Sequence, residues 1–173
     1  MIKFKQLWEN HPTIQNDKHP CKSTSGKKYY DDQCSIRMGT CLARCGVDTT
    51  KIVPKRRHCW HHDVSYGHIL AAEELANGLK RSIINGIQKM EEINPSDFQK
   101  DISHKQGIIF FKDFWQRTIN GKKETFRNRS GDHIDLWNGS RLTDWRTWFV
   151  ISSIFNTGGA YGKSKEIWFW RVL

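Results

Sequence analysis

The chain has 173 residues, a formal net charge of +10 and 37% hydrophobic residues, including eight Trp and nine Phe. That length suits a single domain, 1–173, with a real core, and the large apolar side chains argue against disorder. No apolar run approaches the roughly 20 residues that cross a bilayer, and the opening MIKFKQLWENHP lacks the apolar core of a Sec signal, so a soluble chain made in the cytoplasm is expected.

Residues 3–10 predict a short amphipathic helix that stops before His11-Pro12, and the polar stretch 13–32, broken by Pro20 and Gly26, predicts a loop. From Gln33 onward, Ile36, Met38, Cys41, Leu42 and Cys45 carry helical spacing, with Gly46 suited to the position just past the helix end. DTTKIVPKRRHCWHHD, 48–63, reads as loop. The next stretch, 65–93, predicts one long helix whose apolar side is Ile69, Leu70, Leu75, Leu79, Ile83 and Ile87, with Gly78 and Gly86 as weak points.

The second half changes character. GIIFFKDFW, 107–115, is a dense apolar run and predicts a central strand. A basic hairpin tip, 117–130, leads into GDHIDLWNG, 131–139, where His133, Asp135 and Trp137 alternate with Ile134 and Leu136 as in a strand. TDWRTWFVISSIFN, 143–156, reads as helix, 157–166 as turn, and IWFWRVL, 167–173, as a last strand. Helices first and strands later predict an α+β fold with an antiparallel sheet.

Five cysteines leave at least one outside any disulfide scheme, and there is no CxxC pair. Cys41 and Cys45 share a helix face with Met38 and Leu42, a core stripe of small apolar groups. Cys21 and Cys59 lie in polar loop segments and could pair in an oxidising compartment. Cys34 fits neither group. At a helix start it faces unpaired N–H groups and the positive end of the helix dipole, which favour a thiolate, and those N–H groups can bind an oxyanion. Cysteine catalysis then needs a histidine to take the proton and a polar group to orient that histidine.

Eight histidines compete for this role. His58, His61, His62 and His68 gather near Cys59, but their spacing matches no HExxH or finger pattern, so a loop with mixed contacts and no metal site is expected. His11, His19 and His104 read as exposed. His133 starts a strand and shares a face with Asp135 and Trp137, as a base on a rigid element should. The basic surface would attract nucleic acid, anionic lipid or an acidic wall polymer; a nucleic-acid-binding module with stacking Trp and Arg is the alternative from another class.

DDQCSIRMG resembles the nucleophile motif of the type VI secretion amidase effectors of the fourth family, and GIIFF followed by GDHIDLWNGS is similar to that family's histidine-bearing strands. The resemblance, spread over 33–144, implies a papain-like, NlpC-type fold with the cysteine helix packed on the antiparallel sheet. It implies a peptidoglycan amidase cutting the γ-D-glutamyl–meso-diaminopimelate bond, with Cys34 as nucleophile, His133 as general base and Asp144 as orienting acid, and no cofactor. Asp135, on the face of His133, and Asn138, a carboxamide, stand as alternatives to Asp144; Arg37 and Trp137 are candidate supports. The resemblance also implies type VI secretion without a Sec signal, action in the recipient's periplasm, no membrane insertion, and a cognate, dimeric immunity protein that occludes the cleft. A protease or transglutaminase-like toxin with the same triad is the nearest alternative.

Overall fold

The computed structural model describes residues 1–125, 127–128, 130–144 and 161–173. The helix expected over 143–156 lies almost wholly outside them. Among the described residues, the helices α1 (Phe4–Asn10), α2 (Cys34–Arg44) and α3 (Ala72–Arg81) precede an antiparallel sheet. Its strands are β1 (Ile87–Ile93), β2 (Gly107–Trp115), β5 (Gly131–Trp137) and β6 (Glu166–Val172), in the order β1-β6-β2-β5. A single turn, α4 (Phe98–Asp101), follows β1, and the small ribbon β3 (Thr118–Ile119) and β4 (Lys122–Lys123) forms the basic tip.

β2 is apolar along its first half because both of its faces are covered, the usual reason for a continuous hydrophobic run. Ile108 and Phe110 join Met38, Cys41, Leu42, Leu75 and Leu79 of the helical layer. Ile109 and Phe111, on the other face, pack with Phe98, Ile102, Leu142 and Tyr161. β6 alternates in the same way, Trp168 and Trp170 to the first cluster and Ile167 and Phe169 to the second. β5 is one of the two edge strands, and Ile134 and Leu136 tie it to the helices while Trp137 enters the second cluster. The structure is the expected α+β fold, a helical layer on an antiparallel sheet.

The long helix expected over 65–93 is instead α3 followed by β1. The helix ends at Arg81 with Ser82 extended, and the turn into β1 closes at Gly86, whose φ of +104° is open to glycine and whose α-carbon faces the backbone of Ile2, leaving no room for a side chain. Beyond it Ile87 pairs with Val172, so sheet pairing overrides the helical spacing of Ile83 and Ile87. Gly78, the other suspect, does not break α3; it lets the helix approach Ile52.

A Cβ on Gly78 would sit 2.5 Å from the Ile52 carbonyl oxygen. Alanine gains about 1 kcal/mol in helix propensity, but overpacking against backbone costs about 1–3 kcal/mol. Gly78→Ala is therefore expected to lower the thermal midpoint, measurable by circular dichroism.

Candidate active site

Gln33 is the residue before α2, and its side chain is spent on the chain behind it. It accepts from the Cys21 N–H at 3.0 Å and donates to the Cys21 and Tyr30 carbonyls, each at 3.0 Å. This clamp fixes the turn that delivers Cys34 as the first residue of the helix, 5% exposed. The first backbone bond of α2 runs from the Arg37 N–H to the Gln33 carbonyl, so the N–H groups of Cys34, Ser35 and Ile36 have no partner within the helix. Cys34 N–H meets the Asp32 carboxylate at 3.4 Å.

α2 packs on the edge strand β5, and this brings Cys34 near enough for its thiol to act on the His133 imidazole and raise its pKa. His133 Nε2 lies 3.7 Å from Asp135 Oδ2. Asp135 is 4% exposed, and its other oxygen accepts from Thr143 Oγ1 at 2.6 Å and from the Leu136 N–H at 2.7 Å. That oxygen also stands 3.6 Å from Nε2 of His11. Tyr161, with Phe111 and Phe114, walls the histidine; its ring centroid is 5.6 Å from that of His133.

Charge in this dry corner follows its partners. Burial alone would lower the His133 pKa, but the contacts with Asp135 and Cys34 outweigh it and raise the value to about 10. Burial would raise Asp135, and His133 and His11 instead pull it down to about 2. The site thus favours an imidazolium beside a carboxylate, in the field of the sulfur. His11 is held neutral, its pKa lowered to about 4 chiefly by burial. Burial, followed by the fields of Asp135, Cys34 and Asp144, pushes the Tyr161 phenol well up, so it stays protonated.

Among the candidates for third member, Asp135 stands against the imidazole. Asn138 has its carboxamide oxygen occupied by the N–H groups of Ser140 and Arg141 and the Ser140 hydroxyl, which closes the turn after β5. Asp144 lies next to Thr143, with its carboxylate 3.6 Å from Lys18 Nζ. It lines a cavity of about 260 Å³ with Thr13, Asn16, Lys18, Arg141 and Thr143. Arg37 donates to the Lys18 carbonyl at 3.3 Å, and Trp137 donates to the Ile102 carbonyl at 3.0 Å inside the second cluster. Trp137 therefore serves packing.

The sequence missed His11, expected on the surface but 1% exposed. α1 ends there, and the turn Pro12–Asn16 folds the ring inward; Nδ1 accepts from the Thr13 N–H at 3.3 Å, which aims Nε2 at Asp135. No periodicity marks such a residue, because its burial depends on where the helix end docks. Among the described residues no helix is long and apolar enough to cross a membrane.

The raised His133 pKa sets an expected alkaline limit. Activity should fall as pH rises through about 10, where the imidazolium loses its proton. Asp135→Asn removes the charge that holds this proton, so the alkaline limb of kcat/KM should move toward neutrality. A limb moved instead by Asp144→Asn, and not by Asp135→Asn, would assign the orienting acid to Asp144.

No curated protein matches the chain. A family model described as "Type VI secretion system (T6SS), amidase effector protein 4" matches residues 30–170, a span that begins four residues before Cys34 and includes His133, Asp135 and Asp144. With a helix-borne cysteine set against a strand-borne histidine, and that match over most of its length, the chain belongs to the type VI secretion amidase effector 4 family and is a peptidoglycan-directed amidase.

Proposed function

We propose that the chain cleaves the γ-D-glutamyl–meso-diaminopimelate bond of the peptidoglycan stem by cysteine catalysis, with Cys34 as nucleophile and His133 as general base. The His133 ring set against Asp135, on the strand that packs against the helix beginning at Cys34, is the observation that supports this reading best. The thiolate attacks the amide carbonyl, and the N–H groups at the start of α2 receive the oxyanion. His133 passes its proton to the leaving amine, then activates water to hydrolyse the thioester. Asp135, which touches the ring, is the acid that geometry supports for orienting it. Asp144, the acid implied by the family resemblance, stands one residue beyond Thr143, whose hydroxyl bonds Asp135, and belongs to the same charged network.

The cavity beside this site supports a stem-peptide substrate. Lys18 and Arg141 offer positive charge for carboxylates, and Asp144 offers negative charge for an ammonium, the mixture that a diaminopimelyl residue carries. The net charge of +10 favours approach to an anionic wall, an attraction that salt screens. Membership of a secreted effector family supports delivery without a Sec signal, action in the recipient's periplasm, and an immunity protein, proposed as dimeric, that covers the cleft in the producing cell.

Digestion of purified peptidoglycan followed by mass analysis tests the assignment. Wild type should release fragments ending at D-glutamate, and Cys34→Ala should lose roughly 10³-fold or more in rate while keeping its circular dichroism. Fragments cut at the D-alanyl cross-link would reject the bond, and an active Cys34→Ala would reject the nucleophile.

A further inference from the structure

A second constellation lies on the other side of the Gln33 clamp. The segment 21–33 and the loop 58–70 meet at a small buried cluster of Cys21, Ile36 and Cys59. The Cys21 and Cys59 sulfurs are 3.2 Å apart, although 38 residues separate them in sequence. His62 Nδ1 stands 3.6 Å from the first and 3.7 Å from the second. His68 completes the group, and one ligand atom from each of the four residues lies within 4.8 Å of the others.

We propose that Cys21, Cys59, His62 and His68 bind one zinc ion as a closed structural site. Two sulfurs and two imidazoles in a tetrahedral set suit zinc, and four protein donors leave no position for a substrate. Zinc–sulfur bonds of about 2.3 Å and zinc–nitrogen bonds of about 2.0–2.1 Å set tetrahedral edges of about 3.6 Å between S and N and about 3.8 Å between two S atoms. The two His62 nitrogen–sulfur separations already match, and the sulfurs need to part by only about half an ångström.

The surroundings carry the marks of a metal site. His62 sets Nε2 3.2 Å from the Lys22 carbonyl, which fixes the proton there and leaves the Nδ1 lone pair facing both sulfurs. The His61 N–H donates to Cys59 Sγ at 3.3 Å, a bond that suits a thiolate. His68 is 2% exposed, and its buried Nδ1 has no hydrogen-bond partner. An unsatisfied polar atom at that depth is costly, and a ligand removes the cost. On binding, the two thiols release two protons, so zinc and two thiolates form a neutral centre suited to a buried position. Tyr29 stacks on His61 with ring centroids 3.8 Å apart, closing the outer side.

The site sits where it can steady catalysis. Gln33 holds both the N–H and the carbonyl of Cys21, so a metal fixing Cys21 also fixes the turn that presents Cys34. Zinc is therefore expected to raise the thermal midpoint and to leave the chemistry at Cys34 unchanged in kind.

Metal analysis and native mass spectrometry of the full chain, purified under reducing conditions without chelator, test the proposal. Wild type and Cys34→Ala should each hold one zinc ion, with a mass gain of one zinc less two protons. His62→Ala and His68→Ala should bind zinc roughly tenfold or more weakly. Cobalt added to stripped wild type should give tetrahedral d–d bands and a thiolate-to-cobalt charge-transfer band, a readout that does not depend on any variant folding. Folded wild type that takes up neither zinc nor cobalt would overturn the proposal. So would a Cys21–Cys59 disulfide that persists under reduction, or a cobalt spectrum unchanged by both histidine variants.

Discussion

The packing of α2 on β5, which sets Cys34 near His133, is the constraint on which the rest of the structure depends. One residue begins a helix and the other lies on an edge strand of a sheet, so they come together only if the two layers are locked together. Met38, Cys41 and Leu42 on α2 and Ile134 and Leu136 on β5 share one buried cluster, and that apolar seam sets the height of the helix start against the strand. Burial of such side chains is worth about 1.5–3 kcal/mol each. Packing thus positions the polar groups, and their interaction then sets the charge.

The same corner shows how burial and pairing compete. Removing water disfavours an imidazolium and a carboxylate alike, and each would neutralise if left alone there. Placed together, Asp135 and His133 stabilise each other's charge, while His11, more deeply buried and next to the other carboxylate oxygen, is held neutral. One carboxylate between two imidazoles therefore yields one charged and one uncharged ring. The neutral ring is a hydrogen-bond donor aimed at Asp135, which helps to fix that side chain without adding a second positive charge.

Gln33 links the two clusters of chemistry-bearing residues. Its carboxamide binds Cys21 on one side and its backbone begins α2 on the other, so the thiol–imidazole group near Cys59 and the proposed catalytic group share a mechanical connection. The loop 58–70 is thereby more than a surface connection: its Cys59, His58 and His68 are buried, and the bridge between His58 and Ile69 closes it on itself.

Local sequence determined much of the frame. The apolar run 107–115 and the alternation 131–137 marked two strands because burial on two faces and on alternate faces leaves direct traces in hydrophobicity. The polar residues before Cys34 and the helical spacing after it marked the helix start and its candidate nucleophile. Three things were decided only by tertiary structure. β1 became a strand because β6 offered it a hydrogen-bonding edge, against the helical spacing of its apolar residues. His11 became part of the site because α1 ends over β5, and Cys21 met Cys59, His62 and His68 because two polar loops fold over one helix. Such meetings leave no periodic trace, since the residues concerned owe their burial to distant segments and not to their neighbours in the chain.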